Sequence, residues 1–400
     1  MKTVFYVALL IVMALVAWAE EPTAPVAEPV AAATTEVIAA AEDEGAPAVE
    51  KTVDEQADTE EANESGEPTG WHISNWAVDG RLDYRLMNMQ EPGMSTTKGE
   101  LMAAELETTA TIANKTRDVL DLGLQWPNAT QMEGIDGRGK EMHFFNAYGI
   151  YKFGLGKPNL RFGQFVVPFG NLPYYETHTR PLQTLYQESL GVRIDRGASL
   201  EGMAGNYDYW IAAMNGNGAR GDNNNSPIVT GRVARRFDLP TGTLNVGASA
   251  LHGSDMPRFS TLVDPLMDNE AMVGDMSMTP ALDFTDKTRV ALDAEYSAGQ
   301  NLWRAELVAG RDSDGSVNGQ FIQWNRALDE KHEISLQASR WEQPGGNRVR
   351  LGIAGERKLD QYTTVRLYAE RALGHAEMED RNRTLIGVQF LREFPSLFSK

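Results

Sequence analysis

From Trp71 onward the chain alternates apolar and charged residues with a period of two, over stretches longer than the strands of a soluble sandwich. In the first stretch Trp76, Val78, Gly80, Leu82, Tyr84 and Leu86 share one face, while Asp79, Arg81, Asp83 and Arg85 share the other. Alternate side chains of a strand point to opposite faces, so this pattern makes one greasy surface and one charged surface. Strands in sandwiches are usually about six residues long. Ten or more residues suit a tilted strand that crosses a membrane.

The same texture recurs to the end of the chain. Leu120, Leu122, Leu124 and Trp126 oppose Asp121 and Gln125; Val290, Leu292, Ala294 and Tyr296 oppose Arg289, Asp293 and Glu295; Trp303, Ala305, Leu307 and Ala309 oppose Arg304 and Glu306; Val365, Leu367 and Ala369 oppose Arg366 and Glu370. Strands are expected at 75–88, 100–113, 117–127, 141–153, 158–167, 189–201, 205–215 and 227–237, then at 241–252, 286–298, 301–312, 317–328, 331–342, 347–358, 361–372 and 383–393. The first, third, fifth, seventh and ninth connections read as long, and the even-numbered ones as short turns such as 114–116 and 238–240. Short periplasmic turns and long external loops are the layout of an outer-membrane barrel. An open sheet edge cannot stand in hydrocarbon, so the expected fold is all-β: a closed up-and-down antiparallel barrel of about sixteen strands.

Ahead of the barrel, Lys2, the apolar run from Val4 to Val16 and Ala17-Trp18-Ala19 read as a cleaved signal peptide over 1–19. The run is shorter than the ~20 residues a spanning helix needs. Residues 20–70 are rich in Ala, Glu, Pro and Thr, with fifteen acids against one base, Lys51. Such a segment cannot bury enough surface to offset its ordering entropy and is expected to be a disordered periplasmic linker. It carries most of the formal net charge of −19. With no basic stripe interleaved with aromatics, the chain is not expected to bind nucleic acid. Cysteine is absent, which excludes disulfides, thiolate metal sites and covalent haem attachment, so no cofactor is expected. The barrel proper is assigned to 71–400.

The expected third external loop, 168–189, carries Asn171, Tyr174, Tyr175, Glu176, His178, Arg180, Gln183, Tyr186 and Gln187. Tyr174, Tyr175, Glu176, His178 and Arg180 are the candidates for a constriction if this loop folds inward. Arg81, Arg85, Arg193, Arg289, Arg304 and Arg366 are candidate lumen charges, several with an acid two residues away on the same face. The histidines are scattered, outside any serine or carboxylate constellation, so catalysis is not expected. Asp312-Ser313-Asp314-Gly315-Ser316 has oxygen-ligand spacing but no downstream glutamate, and reads as a turn. The acidic loop 253–284 suits divalent-cation bridging to lipopolysaccharide. Ile386, Val388 and Phe390 end in the manner of a barrel-assembly signal, although ten residues follow Phe390.

Leu160-Arg161-Phe162-Gly163-Gln164-Phe165-Val166-Val167-Pro168-Phe169-Gly170, then Asp195-Arg196-Gly197-Ala198-Ser199-Leu200-Glu201-Gly202, and Tyr209 leading to Asn215-Gly216, resemble the phosphate-selective porin O and P family over roughly 144–218. The resemblance implies a sixteen-stranded porin, often trimeric, narrowed by inward loops and lined by basic residues for anions. The chain departs from it in lysine, which is scarce beyond Trp71, with arginine in its place. Pattern and resemblance together lead to an outer-membrane channel for passive diffusion of small hydrophilic solutes or ions. The other reading is a sheath that holds a partner such as a multihaem cytochrome across the membrane, and it requires an emptied lumen.

Overall fold

The structure is a computed structural model that describes residues 70–91, 93–115, 117–126, 146–171, 181–182, 184–185, 189–192, 194–216, 227–257, 284–376 and 382–399. The expected signal peptide and nearly all of the expected linker lie outside the described residues.

Sixteen strands are present. They are β1 (His72–Glu91), β2 (Met94–Asn114), β3 (Arg117–Trp126), β4 (Asn146–Lys152), β5 (Asn159–Val166), β6 (Ile194–Ala204), β7 (Tyr207–Met214) and β8 (Ile228–Leu239), followed by β9 (Gly242–Pro257), β10 (Phe284–Ala298), β11 (Asn301–Asp312), β12 (Gly315–Ala327), β13 (His332–Gln343), β14 (Gly346–Lys358), β15 (Thr363–Ala376) and β16 (Arg383–Ser399). Each pairs antiparallel with its neighbours in sequence, and β1 pairs with β16 to close the barrel. Closure removes both sheet edges, so every strand finds hydrogen-bond partners on both sides.

The alternation reads out as an inside and an outside of opposite polarity to a soluble protein. Along β1, Asp83 and Arg85 are buried in the lumen at 0% and 4% exposure, whereas Leu82, Tyr84 and Leu86 are 40–49% exposed on the outer wall. Val290, Leu292, Leu336, Leu351, Ile353, Leu367, Ile386 and Val388 continue that outer surface. Apolar area on this scale is unfavourable in water by roughly 25 cal/mol per Å² and is at rest only against hydrocarbon. A band of outward aromatics, including Tyr207, Phe237, Tyr296, Trp303, Trp324 and Phe390, marks the end where the turns are short. Trp303 and Trp324 stack at 5.7 Å there.

One connection and one strand end differ from expectation. The first is not long, because β1 and β2 remain paired until Glu91 faces Met94, with Gly93 at φ +85° in the turn. The polar run after Asn88 had hidden this extension. A strand that rises above the apolar layer no longer needs a greasy outer face, and its edge is held by polar contacts such as Asn88 Nδ2 donating to Thr97 Oγ1 at 2.8 Å. The last strand also runs beyond 393, since Phe394 pairs with Gly80 and Ser399 with Ala77, across a register shift near Val78 and Gly80. The ten residues after Phe390 are therefore part of the wall up to Ser399. The short turn after Asn114 is as expected, and its side chain accepts the Arg117 amide at 3.1 Å.

Candidate functional site

The segment leaving β5 does not run along the outside of the barrel. Val166 ends the strand, and Val167, Phe169, Leu182, Leu185, Leu190 and Val192 are then almost wholly buried, inside the lumen. Val167, Phe169, Leu185 and Leu190 pack with Met214, Ile228, Leu251, Met256, Val308, Val317, Phe321 and Trp341, which project inward from β7, β8, β9, β11, β12 and β13. Leu182 reaches another part of the wall and packs with Met87, Ala354, Tyr368 and Leu385 of β1, β14, β15 and β16. The wall makes room for this segment at Gly352, where a Cβ would meet Leu182, while a Cβ at Gly319 would meet first Trp341 and then Leu185.

Polar pins fix both limbs of the segment. On the outgoing limb the Thr230 hydroxyl donates to the Pro168 carbonyl at 3.1 Å, Gly170 N–H donates to Ser249 Oγ at 2.9 Å, and Asn171 N–H donates to Glu306 Oε2 at 2.9 Å. On the returning limb Arg289 Nε donates to the Ser189 carbonyl and Lys287 Nζ to the Leu190 carbonyl, both at 2.9 Å. Arg289 and Lys287 are both 0% exposed. Arg289 keeps its counter-ion through Nη2 to Asp312 Oδ1 at 2.5 Å. Charge-assisted bonds to backbone carbonyls inside a low-dielectric lumen are among the stronger ways to hold a loop.

The rest of the inward face is a ring of linked charges and amides. Arg81 donates to Glu105 at 3.3 Å, Gln125 donates to the same carboxylate at 3.1 Å, and Asn146 donates to Gln125 at 2.7 Å. Arg85 holds Asp83 at 2.8 Å, Gln389 donates to Asp83 at 2.7 Å, and Arg366 bonds Gln389 at 2.9 Å and Glu356 at 2.6 Å. Arg304 bonds Glu295 at 2.7 Å and Gln323 at 3.2 Å. Arg161 bonds Glu201 at 3.0 Å and lies over the Tyr148 ring at 4.9 Å.

Five of the six arginines nominated from sequence, Arg81, Arg85, Arg289, Arg304 and Arg366, thus face inward, and each carries a carboxylate partner. Arg193 lies outside the described residues, as do Tyr174, Tyr175, Glu176, His178 and Arg180, and residues 258–283 of the acidic external loop. Asp312 and Gly315 face each other across a turn, and among the described residues no group of acids and histidines could hold a metal ion.

Sequence reasoning missed Thr230, Ser249, Lys287 and Glu306 as anchors, and missed the apolar half of the lumen. A signal for the latter was present. Along β8, β9 and β12 the alternation fails locally and both faces turn apolar, as at Ile228 and Val229, Ala250 and Leu251, or Phe321 and Ile322. A strand apolar on both faces packs against something on each.

No protein-family model matches the chain, and no curated protein matches it in sequence. Solved structures do match in shape. An anion-selective porin from Comamonas acidovorans is similar at a TM-score of 0.56 and 12% identity, over 81% of this chain and 100% of that one. OmpT of Vibrio cholerae, in a trimer form, is similar at 0.53 and 12%, over 81% and 100%. OprB of Pseudomonas putida is similar at 0.53 and 10%, over 82% and 94%. The chain therefore shares its fold, a closed antiparallel barrel of sixteen strands, with solved outer-membrane porins.

Proposed function

We propose that this chain is a porin of the Gram-negative outer membrane, a conduit rather than an enzyme, through which small hydrophilic solutes and ions diffuse passively. The observation that carries the reading is the pairing of an apolar outer wall with a charged lumen into which the described residues that follow β5, among them Phe169, Leu182, Leu185 and Leu190, are packed. Such a segment restricts an aqueous path without closing the barrel wall, and the charged face around it needs water or solute. A signal peptide over 1–19 and a periplasmic linker over 20–70 complete the reading.

The arginine-rich lumen and the resemblance to the phosphate-selective porins favour anions as the solute class. The pairing of Arg81, Arg85, Arg289, Arg304 and Arg366 with carboxylates makes that preference shallow, because a paired guanidinium has little field left for a passing ion. The sheath reading is not favoured, since the volume that a partner would need holds Phe169, Leu182, Leu185 and Leu190.

A homotrimer is also proposed. β3, β4 and β5 are only ten, seven and eight residues long. At about 3.3 Å per residue and a tilt near 45° they rise less than the ~25 Å of the apolar band. That low sector, with Ala110, Leu122, Ala147, Gly149 and Phe162 lining an open apolar groove, suits cover by a second copy, and the trimer form of the Vibrio cholerae neighbour has the same fold.

Single-channel recording of the refolded protein in planar bilayers, with reversal potential under a KCl gradient and phosphate added as a blocker, tests the function. Stable ohmic steps with a small reversal potential are expected. A folded barrel that gives no steps would sink the reading.

A further inference from the structure

Two arginines sit on the outward face of the wall near its short-turn end, each between two aromatic rings. Arg392 of β16 lies 5.7 Å from the Tyr362 ring and 5.6 Å from the Phe394 ring, and its charge is matched by Asp360 at 2.9 Å. Arg235 of β8 has the same setting, 5.1 Å from Tyr207 and 4.7 Å from Phe237. Its register partners, Tyr207 on β7 and Val246 on β9, are both exposed on the outer wall.

The two differ in their counter-ion. Nη1 of Arg235 donates to the Tyr207 hydroxyl at 3.0 Å, but among the described residues no carboxylate pairs with it, and Nε is buried without any partner. The nearest acid in sequence, Asp238, is taken by Arg236 at 3.1 Å. Ring faces compensate a cation only in part. A planar guanidinium with donors to spare, at the edge of hydrocarbon, calls for an oxyanion that presents two oxygens to its fork.

We propose that Arg235, with Tyr207 and Phe237, forms a phospholipid site that takes the headgroup phosphate of an anionic lipid in the periplasmic leaflet. This rests on the reading of the barrel as an outer-membrane protein. The fork of the guanidinium binds the phosphate, Tyr207 holds the fork in place, and the acyl chains lie along Val233, Ile211 and Val246, all exposed on the same wall. At Arg392 the chain supplies its own anion and the lipid is not needed.

The test counts phosphatidylglycerol bound to the full-length refolded protein by native mass spectrometry, with barrel formation checked by heat-modifiable migration on gels. One lipid is expected to bind roughly tenfold more weakly to Arg235→Gln, the size of a lost charge-assisted hydrogen bond. Arg235→Lys, which keeps the charge and loses the fork, is expected to bind at an intermediate level, and Arg236→Gln at the level of the parent. Millimolar inorganic phosphate is expected to leave the lipid in place. Undiminished lipid binding by Arg235→Gln overturns the proposal, and displacement by phosphate alone overturns the lipid assignment. Conductance is not read here, so a failed channel assay leaves this result standing, whereas a barrel that inserts into no vesicle removes the membrane reading beneath it.

Discussion

Arg232 on β8 and Asp293 on β10 form a bidentate ion pair, 3.0 and 2.5 Å, that passes over the strand between them. β9 has Gly247 at the crossing point, where a Cβ would meet both the Asp293 carboxylate and the Arg232 guanidinium. Both charged side chains are buried, at 5% and 1% exposure. Removing one partner of such a pair strands the other charge, which costs about 3–5 kcal/mol. Asp293→Ala is expected to destabilise the barrel by that amount in urea unfolding from lipid vesicles. Arg232→Met combined with Asp293→Leu is expected to recover most of the loss, and Gly247→Val to reproduce it with both charged residues still present.

Arg289 holds both the Ser189 carbonyl and Asp312. Arg289→Gln removes one of the two polar pins on the returning limb of the lumen segment and leaves the backbone ladder of the wall in place. The expected result is a larger and noisier single-channel conductance from a barrel that still migrates as folded on gels. Unchanged conductance would show that the remaining contacts, Lys287 to the Leu190 carbonyl among them, hold the segment without Arg289.

Leu292 is near the middle of β10 and 59% exposed on the outer wall. Leu292→Arg is expected to cost about 2–4 kcal/mol in refolding into vesicles, the midplane cost of a charge on the lipid face. Gln337→Arg, on the lumen side of β13, is expected to spare folding and shift the reversal potential toward anions.

Asp360 sits in the turn between β14 and β15, where the Tyr362 backbone N–H at 2.8 Å, then Thr363 and Arg392, hold its carboxyl below the usual carboxylate range. A lowered folded value stabilises the turn above the unfolded carboxylate value of about 3.9, and that support is lost as pH falls through the folded value. Faster exchange of the Tyr362 amide, relative to its intrinsic rate, is expected as pH drops below about 4. Asp360→Asn is expected to abolish that dependence, while neutral pH leaves the parent protected.

Period-two alternation was sufficient to determine the strand count, the antiparallel neighbours and the polarity of each face, because a strand side chain has only two directions and hydrocarbon accepts one kind. The inward register of Arg81, Arg85, Arg289, Arg304 and Arg366 followed from the same rule. What alternation cannot carry is anything that depends on strands far apart in the chain. That Arg232 reaches Asp293 over Gly247, that Leu182 nests against Gly352, and that Lys287 holds Leu190 are decided only once the wall has curved into a closed ring. Strand ends behave likewise, since the residues beyond Asn88 and beyond Phe390 break the alternation and are strand because a paired neighbour is there to meet them. Local pattern specifies which face a side chain takes, and closure alone specifies what it meets across the lumen.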